Sequence, residues 1–134
     1  MKNRPVIADS DILIWHLRGM NEIVKEVVSL ISKDILFITP VNIAEIFAGS
    51  KKKEEETITN MFSSMHVIEI NDEMGKNAGK FLNQFSKSHN LEIADALIAS
   101  AVVYGKVKLW TLNKKHYPML QKNDFYEFDS QHGK

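Results

Sequence analysis

The chain has 134 residues, 44% of them apolar and 25% charged, which matches one globular domain and argues against wholesale disorder. Seventeen basic residues balance seventeen acidic ones, which excludes a protein drawn to nucleic acid or membrane by bulk positive charge but leaves room for a local basic rim. Cysteine is absent, and with it disulfides, thiolate zinc sites and cysteine nucleophiles, so any metal must be held by oxygen or imidazole.

Met1-Lys2-Asn3-Arg4 imitates the charged start of a signal peptide, but Asp9 and Asp11 interrupt the apolar stretch that follows and no small-residue cleavage site appears. No run approaches the ~18 apolar residues that cross a bilayer. The expectation is a cytoplasmic protein with no membrane partner.

Val6-Ile7-Ala8 predicts a first buried strand. Ile12, Leu13 and Leu17 recur at helical spacing until Gly19 stops the helix, and Ile23, Val24, Val27, Val28, Leu30 and Ile31 mark a second amphipathic helix. Ile35 to Ile38 reads as a second strand. Thr39-Pro40 then supplies an N-cap and a first helical residue for a helix through Ile43, Ile46 and Phe47 to Gly49. Lys51-Lys52-Lys53 followed by Glu54-Glu55-Glu56 suits pairing along an exposed helix, and its charges cancel. Val67 to Ile70 predicts a third strand, and Asn71 caps a longer helix through Met74, Ala78, Phe81, Leu82 and Phe85. A further helix runs from Glu92 to Tyr104 and closes at Gly105. Lys108 to Thr111 gives a fourth strand, and Phe125 to Phe128 a fifth. With no linker, repeat or low-complexity tract, one domain over residues 1–134 is expected, with about 129–134 a loose tail.

Short apolar strands alternating with helices imply parallel β-α units in an α/β fold, helices on both faces. Ligands of such folds bind beyond the carboxyl ends of the strands. Asp9 and Asn113 stand just past the first and fourth strands. Glu45 and Asp95 lie on helices among apolar neighbours, where a carboxylate is expensive to bury unless paired or bound to a cation. Taken singly, each has a plain structural explanation. Asp9 is equally a helix cap, Glu45 an outer-face residue, Asp95 a partner for the helix dipole and Asn113 a turn residue. The combination carries the case, because all four can meet at one end of one sheet.

Four blocks carry a resemblance: Val6 to Ile14, Ala44 to Gly49, Ala94 to Ala99 and Trp110 to Tyr117. In this order they resemble PIN-domain proteins, and among those the VapC-type toxins of toxin–antitoxin pairs. The resemblance implies a PIN-like three-layer α/β/α fold whose central, mostly parallel sheet has about four to five strands. It also implies an endoribonuclease dependent on Mg²⁺ or Mn²⁺ and silenced by a cognate VapB-type antitoxin. Asp9, Glu45 and Asp95 match the family's first three acids, implying catalytic and metal-holding roles. Asn113 falls where many members carry a fourth acid, which lowers the charge at that catalytic position. Ser10 matches a small hydroxyl position that orients the acids and serves substrate binding. Attack by water would leave 5′-phosphate and 3′-hydroxyl ends. Arg18, Lys106, Lys108, Lys114 and Lys115 are candidates to guide the RNA, with Arg18, Lys114 and Lys115 taken as substrate-binding. Implied partners are a tRNA, ribosomal RNA or messenger RNA substrate, the antitoxin laid across an apolar groove, and a second copy in a homodimer. Trp15, Phe47, Phe62 and Phe85 are spare aromatics for such surfaces.

Competing readings remain. A metal-free ribonuclease would use a histidine pair, but His16, His66, His89, His116 and His132 are scattered. Asp9-Ser10-Asp11 also resembles the start of haloacid-dehalogenase-type phosphatases, whose following pattern Ile12-Leu13-Ile14 does not supply. A regulatory RNA-binding domain with a degenerate site has Asn113 in its favour and the three acids against it.

Overall fold

The computed structural model describes residues 4–128, leaving aside the side chains at 86, 88 and 89. The expected tail at 129–134 lies outside the described residues. Four strands, β1 (Val6–Ala8), β2 (Leu36–Ile38), β3 (His66–Val67) and β4 (Lys108–Trp110), form one sheet in the order β3-β2-β1-β4. Every pairing is parallel, with Val6 opposite both Leu36 and Lys108. Parallel neighbours need crossover connections. The helices α1 (Ser10–Leu17), α2 (Asn21–Ser32), α3 (Pro40–Ala48), α4 (Glu55–Ser63), α5 (Asp72–His89) and α6 (Ile93–Gly105) provide them. None of the described helices is long and apolar enough to cross a membrane.

Alternation along the strands sorts these helices into two layers. Val6, Ala8, Leu36, Ile38 and Trp110 pack with Ile12, Leu13, Ile23, Val27, Leu30, Ile46 and Ile58 of α1 to α4. Ile7 and Leu109 turn the other way, onto Met74 of α5 and Ile98, Ala99, Ala101 and Val102 of α6. Alanines let α6 approach α5 closely, and the buried Ser100 hydroxyl donates to the Met74 carbonyl at 2.7 Å. The three-layer α/β/α architecture expected from the sequence is therefore present.

Local signals placed most boundaries. Gly19 takes φ +81° just past α1, in the left-handed region that glycine enters at little cost. Asn71 Oδ1 accepts from the Met74 N–H at 2.9 Å and so caps α5. Four expectations need correction. The third strand pairs only at His66 and Val67, because it is the edge strand and β2 offers just three residues. Ile68 adds one bond to the Ile38 carbonyl, and Ile68 and Ile70 still pack inward. The fifth strand reduces to a single bridge between Leu109 and Phe125, after which Tyr126 and Phe128 fold over Trp110. The left-handed cap of α6 is Lys106 (φ 55°), with Gly105 the last helical residue. The 51–56 charge run is exposed but only partly α-helical: a 3₁₀ turn spans Lys52–Glu54 before α4 begins at Glu55.

On α2, Leu30 is 1% exposed and Val28 is 56% exposed. Leu30→Ala is expected to destabilise the fold by about 2–5 kcal/mol and Val28→Ala by less than about 0.5 kcal/mol, read from denaturant unfolding.

Candidate active site

β1 ends at Asp9, whose extended backbone makes it the N-cap of α1. Its Oδ1 accepts the Ser10 N–H at 2.8 Å, while its Oδ2 accepts the hydroxyls of Thr111 at 2.8 Å and Tyr117 at 2.9 Å. The carboxylate of Asp9 therefore joins β1, α1, the end of β4 and the turn after it.

Asp11, two residues along, accepts the Leu112 N–H at 3.0 Å through Oδ2. Thr111 also lies 3.4 Å from that oxygen, but its single hydroxyl proton serves the shorter bond to Asp9. Oδ1 of Asp11 is buried with no hydrogen-bond partner. Burial, and then the charge of Asp9, hold the Asp11 carboxyl up at about 6.

Glu45 arrives from α3 by a second chain of hydrogen bonds. Thr39 caps α3, and the fully buried Asn42 accepts from both the N–H and the hydroxyl of Thr39, at 2.8 and 2.9 Å. Asn42 Nδ2 donates to Ser10 Oγ at 3.2 Å, and that hydroxyl donates to Glu45 Oε1 at 2.6 Å. Glu45 is exposed as a residue, yet burial of its carboxyl raises its pKa above the usual range. The Ser10 bond lowers it, and the charges of Asp9, Asp95 and Glu92 raise it. Asp95 accepts the Glu92 N–H at the start of α6, at 3.4 Å. It too is raised, first by burial and also by Asp9 and Glu92, against the Glu92 N–H and the charge of His116, which lower it. Asp9, Glu45 and Asp95 thus lie within electrostatic reach of one another. Asn113 begins the turn Lys114–His116, with its N–H on Thr111 Oγ1 at 3.1 Å and its side chain exposed.

Among the described residues the ion pairs are His66–Asp34 and Lys114–Glu127, and neither touches these acids. Uncompensated carboxylates at the mouth of a fold attract cations. No three His, Cys, Asp or Glu side chains among the described residues sit tightly enough to enclose an ion by themselves. Mg²⁺ keeps several waters and is held by one or two carboxylates with a substrate phosphate, so this oxygen-only donor set, with the orphaned Asp11 oxygen beside it, fits such an ion.

Beside Glu45 opens a groove of about 520 Å³ between α1, α3 and α4, with Ile14, Leu17, Ile46 and Ile58 among its apolar walls and Arg18, Lys53 and Glu54 at its rim.

The PIN domain profile matches residues 6–119. The chain belongs to the PIN domain family. Ribonuclease VapC10 of Mycobacterium tuberculosis is 30% identical to it over 118 residues, 87% of this chain and 89% of that protein. Ribonuclease VapC1 of Methanocaldococcus jannaschii is 26% identical over 121 residues, 87% of this chain and 82% of that protein. Among solved structures, VapBC2 from Rickettsia felis, bound to a DNA fragment from their promoter, has a TM-score of 0.72 at 22% identity, covering 92% of this chain and 98% of that one. That last likeness shows the fold.

In this PIN domain the sequence-predicted acids Asp9, Glu45 and Asp95 come together, and Ser10 lies between two of them with its hydroxyl on Glu45. The basic candidates are more dispersed. Arg18 stacks over Trp15 at 5.4 Å, Lys114 sits over Phe125 at 5.4 Å and 3.8 Å from Glu127, and Lys115 is exposed. Sequence reasoning missed Asn42, Thr111 and Tyr117, and gave Asp11 no part in the site. A carboxylate two residues after Asp9 was a signal for Asp11, and Thr111 ends the predicted fourth strand as Asp9 ends the first.

In metal-free protein, Asp11 ionises near 6 when folded and near 3.8 when unfolded. A raised folded value stabilises below about pH 4, and that contribution is lost as pH rises through 6. With EDTA present, Asp11→Asn is expected to be more stable than the parent at pH 8, on the order of 2 kcal/mol, and the gap should close toward pH 4 in thermal unfolding.

Proposed function

We propose that this PIN domain is the toxin of a VapBC-type toxin–antitoxin pair: an endoribonuclease, dependent on Mg²⁺ or Mn²⁺, that hydrolyses RNA phosphodiester bonds. Its substrate class is tRNA, ribosomal RNA or messenger RNA. The observation that carries the reading is that Asp9, Glu45 and Asp95 lie within electrostatic reach of one another with no salt bridge to any of them among the described residues, Glu45 and Asp95 both pushed upward by burial and by neighbouring carboxylates. The ribonucleases VapC10 and VapC1 support it.

Asp9, Glu45 and Asp95 would hold the ion, and the amide of Asn113 adds a neutral polar group where many family members have a fourth acid. When bound, the ion would polarise the phosphoryl oxygen and lower the pKa of the attacking water. The chain's own residues set the geometry: Thr111 and Ser10 fix Asp9 and Glu45. Arg18, Lys114 and Lys115 would meet the RNA backbone from the rim. Hydrolysis by water leaves 5′-phosphate and 3′-hydroxyl ends. A metal-free route has one observation in its favour, the charge of His116 acting on Asp95, and a chelator separates the two.

Antitoxin-free protein is expected to cut pooled tRNA or ribosomal RNA with Mg²⁺ or Mn²⁺, leaving 5′-phosphate ends, and to lose the activity in EDTA and in Asp95→Asn. Cutting that persists in both would overturn the reading.

A VapB-type antitoxin segment would lie in the groove beside Glu45, its apolar side chains on Ile14 and Leu17 and a basic side chain toward Glu45 or Glu54. The likeness to VapBC2 from Rickettsia felis supports such a partner. A homodimer completes the proposal, measured by light scattering. Ile14 is 40% exposed, so Ile14→Asp should keep its unfolding temperature while antitoxin affinity falls by about tenfold or more in calorimetry. Unchanged affinity would place the antitoxin elsewhere.

A further inference from the structure

We propose that Tyr117 is a positioning residue which, with Thr111, holds Oδ2 of Asp9 so that the carboxylate presents Oδ1 alone to a divalent cation. The inference rests on the metal-dependent reading above.

A carboxylate oxygen accepts along two lone-pair directions. Both directions at Oδ2 are taken, by the Thr111 hydroxyl at 2.8 Å and the Tyr117 hydroxyl at 2.9 Å. Oδ1 receives only the Ser10 N–H, at 2.8 Å, and keeps one direction open. Asp9 is thereby made a one-oxygen donor rather than a chelating one.

Tyr117 suits this task. Its side chain is 2% exposed and packs in the cluster of Ile7, Ile98 and Leu109, so the ring has no freedom to carry its hydroxyl elsewhere. A phenol keeps its proton at neutral pH and so serves as a donor to the carboxylate. Packing alone does not call for the hydroxyl, since phenylalanine has nearly the same shape. A buried hydroxyl costs free energy unless it finds a partner, and its partner here is the acid that ends β1.

The test reads Mn²⁺ affinity by calorimetry on RNA-free protein, with thermal unfolding alongside. Tyr117→Phe is expected to weaken Mn²⁺ binding by about tenfold or more, the scale on which partners of metal-holding groups act. A merely structural hydroxyl would move the unfolding temperature and leave the affinity alone, which overturns the proposal. Should Tyr117→Phe lose its cooperative transition, Thr111→Val reads the same oxygen. Weakened binding there, restored in Thr111→Ser, supports the proposal, and parental affinity in Thr111→Val overturns it. Asp9→Asn tells the two levels apart. Loss of Mn²⁺ binding in Asp9→Asn with parental binding in Tyr117→Phe defeats this inference alone. Parental binding in Asp9→Asn defeats the metal site and the inference with it.

Discussion

The carboxylate of Asp9 sits where β1, α1, the β4 end and the turn beyond it meet, and three different donors hold it. Ser10 offers a backbone N–H, Thr111 a strand-end hydroxyl and Tyr117 a phenol from the core of the opposite layer. A carboxyl group at 8% exposure is tolerated only when such donors compensate its lost hydration. The same bonds that make the burial tolerable also fix where its oxygens lie. Tolerance of burial and placement of the oxygens are therefore not separable at this residue, and its charge adds to the burial that raises the neighbouring acids.

Those neighbours show what an unneutralised cluster does. The Asp11 carboxyl is held near 6, and Glu45 and Asp95 are raised as well, so the cluster resists holding all its charges at once. Proteins accept that strain where a ligand relieves it. The Thr39–Asn42–Ser10–Glu45 chain shows the fold setting one of these acids deliberately in place, since a fully buried amide links the cap of α3 to the first residue of α1.

The layers were legible because strand alternation and helical spacing respond to burial, and burial is written residue by residue: Val6 and Ala8 against Ile7, Val27 and Leu30 against Lys25. The acids were legible because carboxylates in apolar runs, such as Glu45 beside Ile46, conflict with the local pattern. The edge strand and the fifth strand were overread, since apolar runs at Val67 to Ile70 and Phe125 to Phe128 carry inward-packing side chains without having a neighbour long enough to pair with. Tyr117 and Asn42 were illegible for another reason. An aromatic after a turn and an asparagine near a helix start look ordinary until three-dimensional packing supplies the partner more than a hundred residues away for Tyr117, or on another helix for Asn42.

The strand order has a consequence for how the molecule comes into being. β1 sits in the middle of the sheet, and one of its two edges waits for β4 at residues 108–110. The Thr111 and Tyr117 contacts span 102 and 108 positions of sequence. On a ribosome, Asp9 emerges well before these partners and stays without them until they follow, because contacts so distant in sequence close late. A chain stopped short of β4 carries Asp9, Glu45 and Asp95 but not the Thr111 and Tyr117 hydroxyls, so the Asp9 carboxylate is fixed in place only once β4 and the turn beyond it have been made.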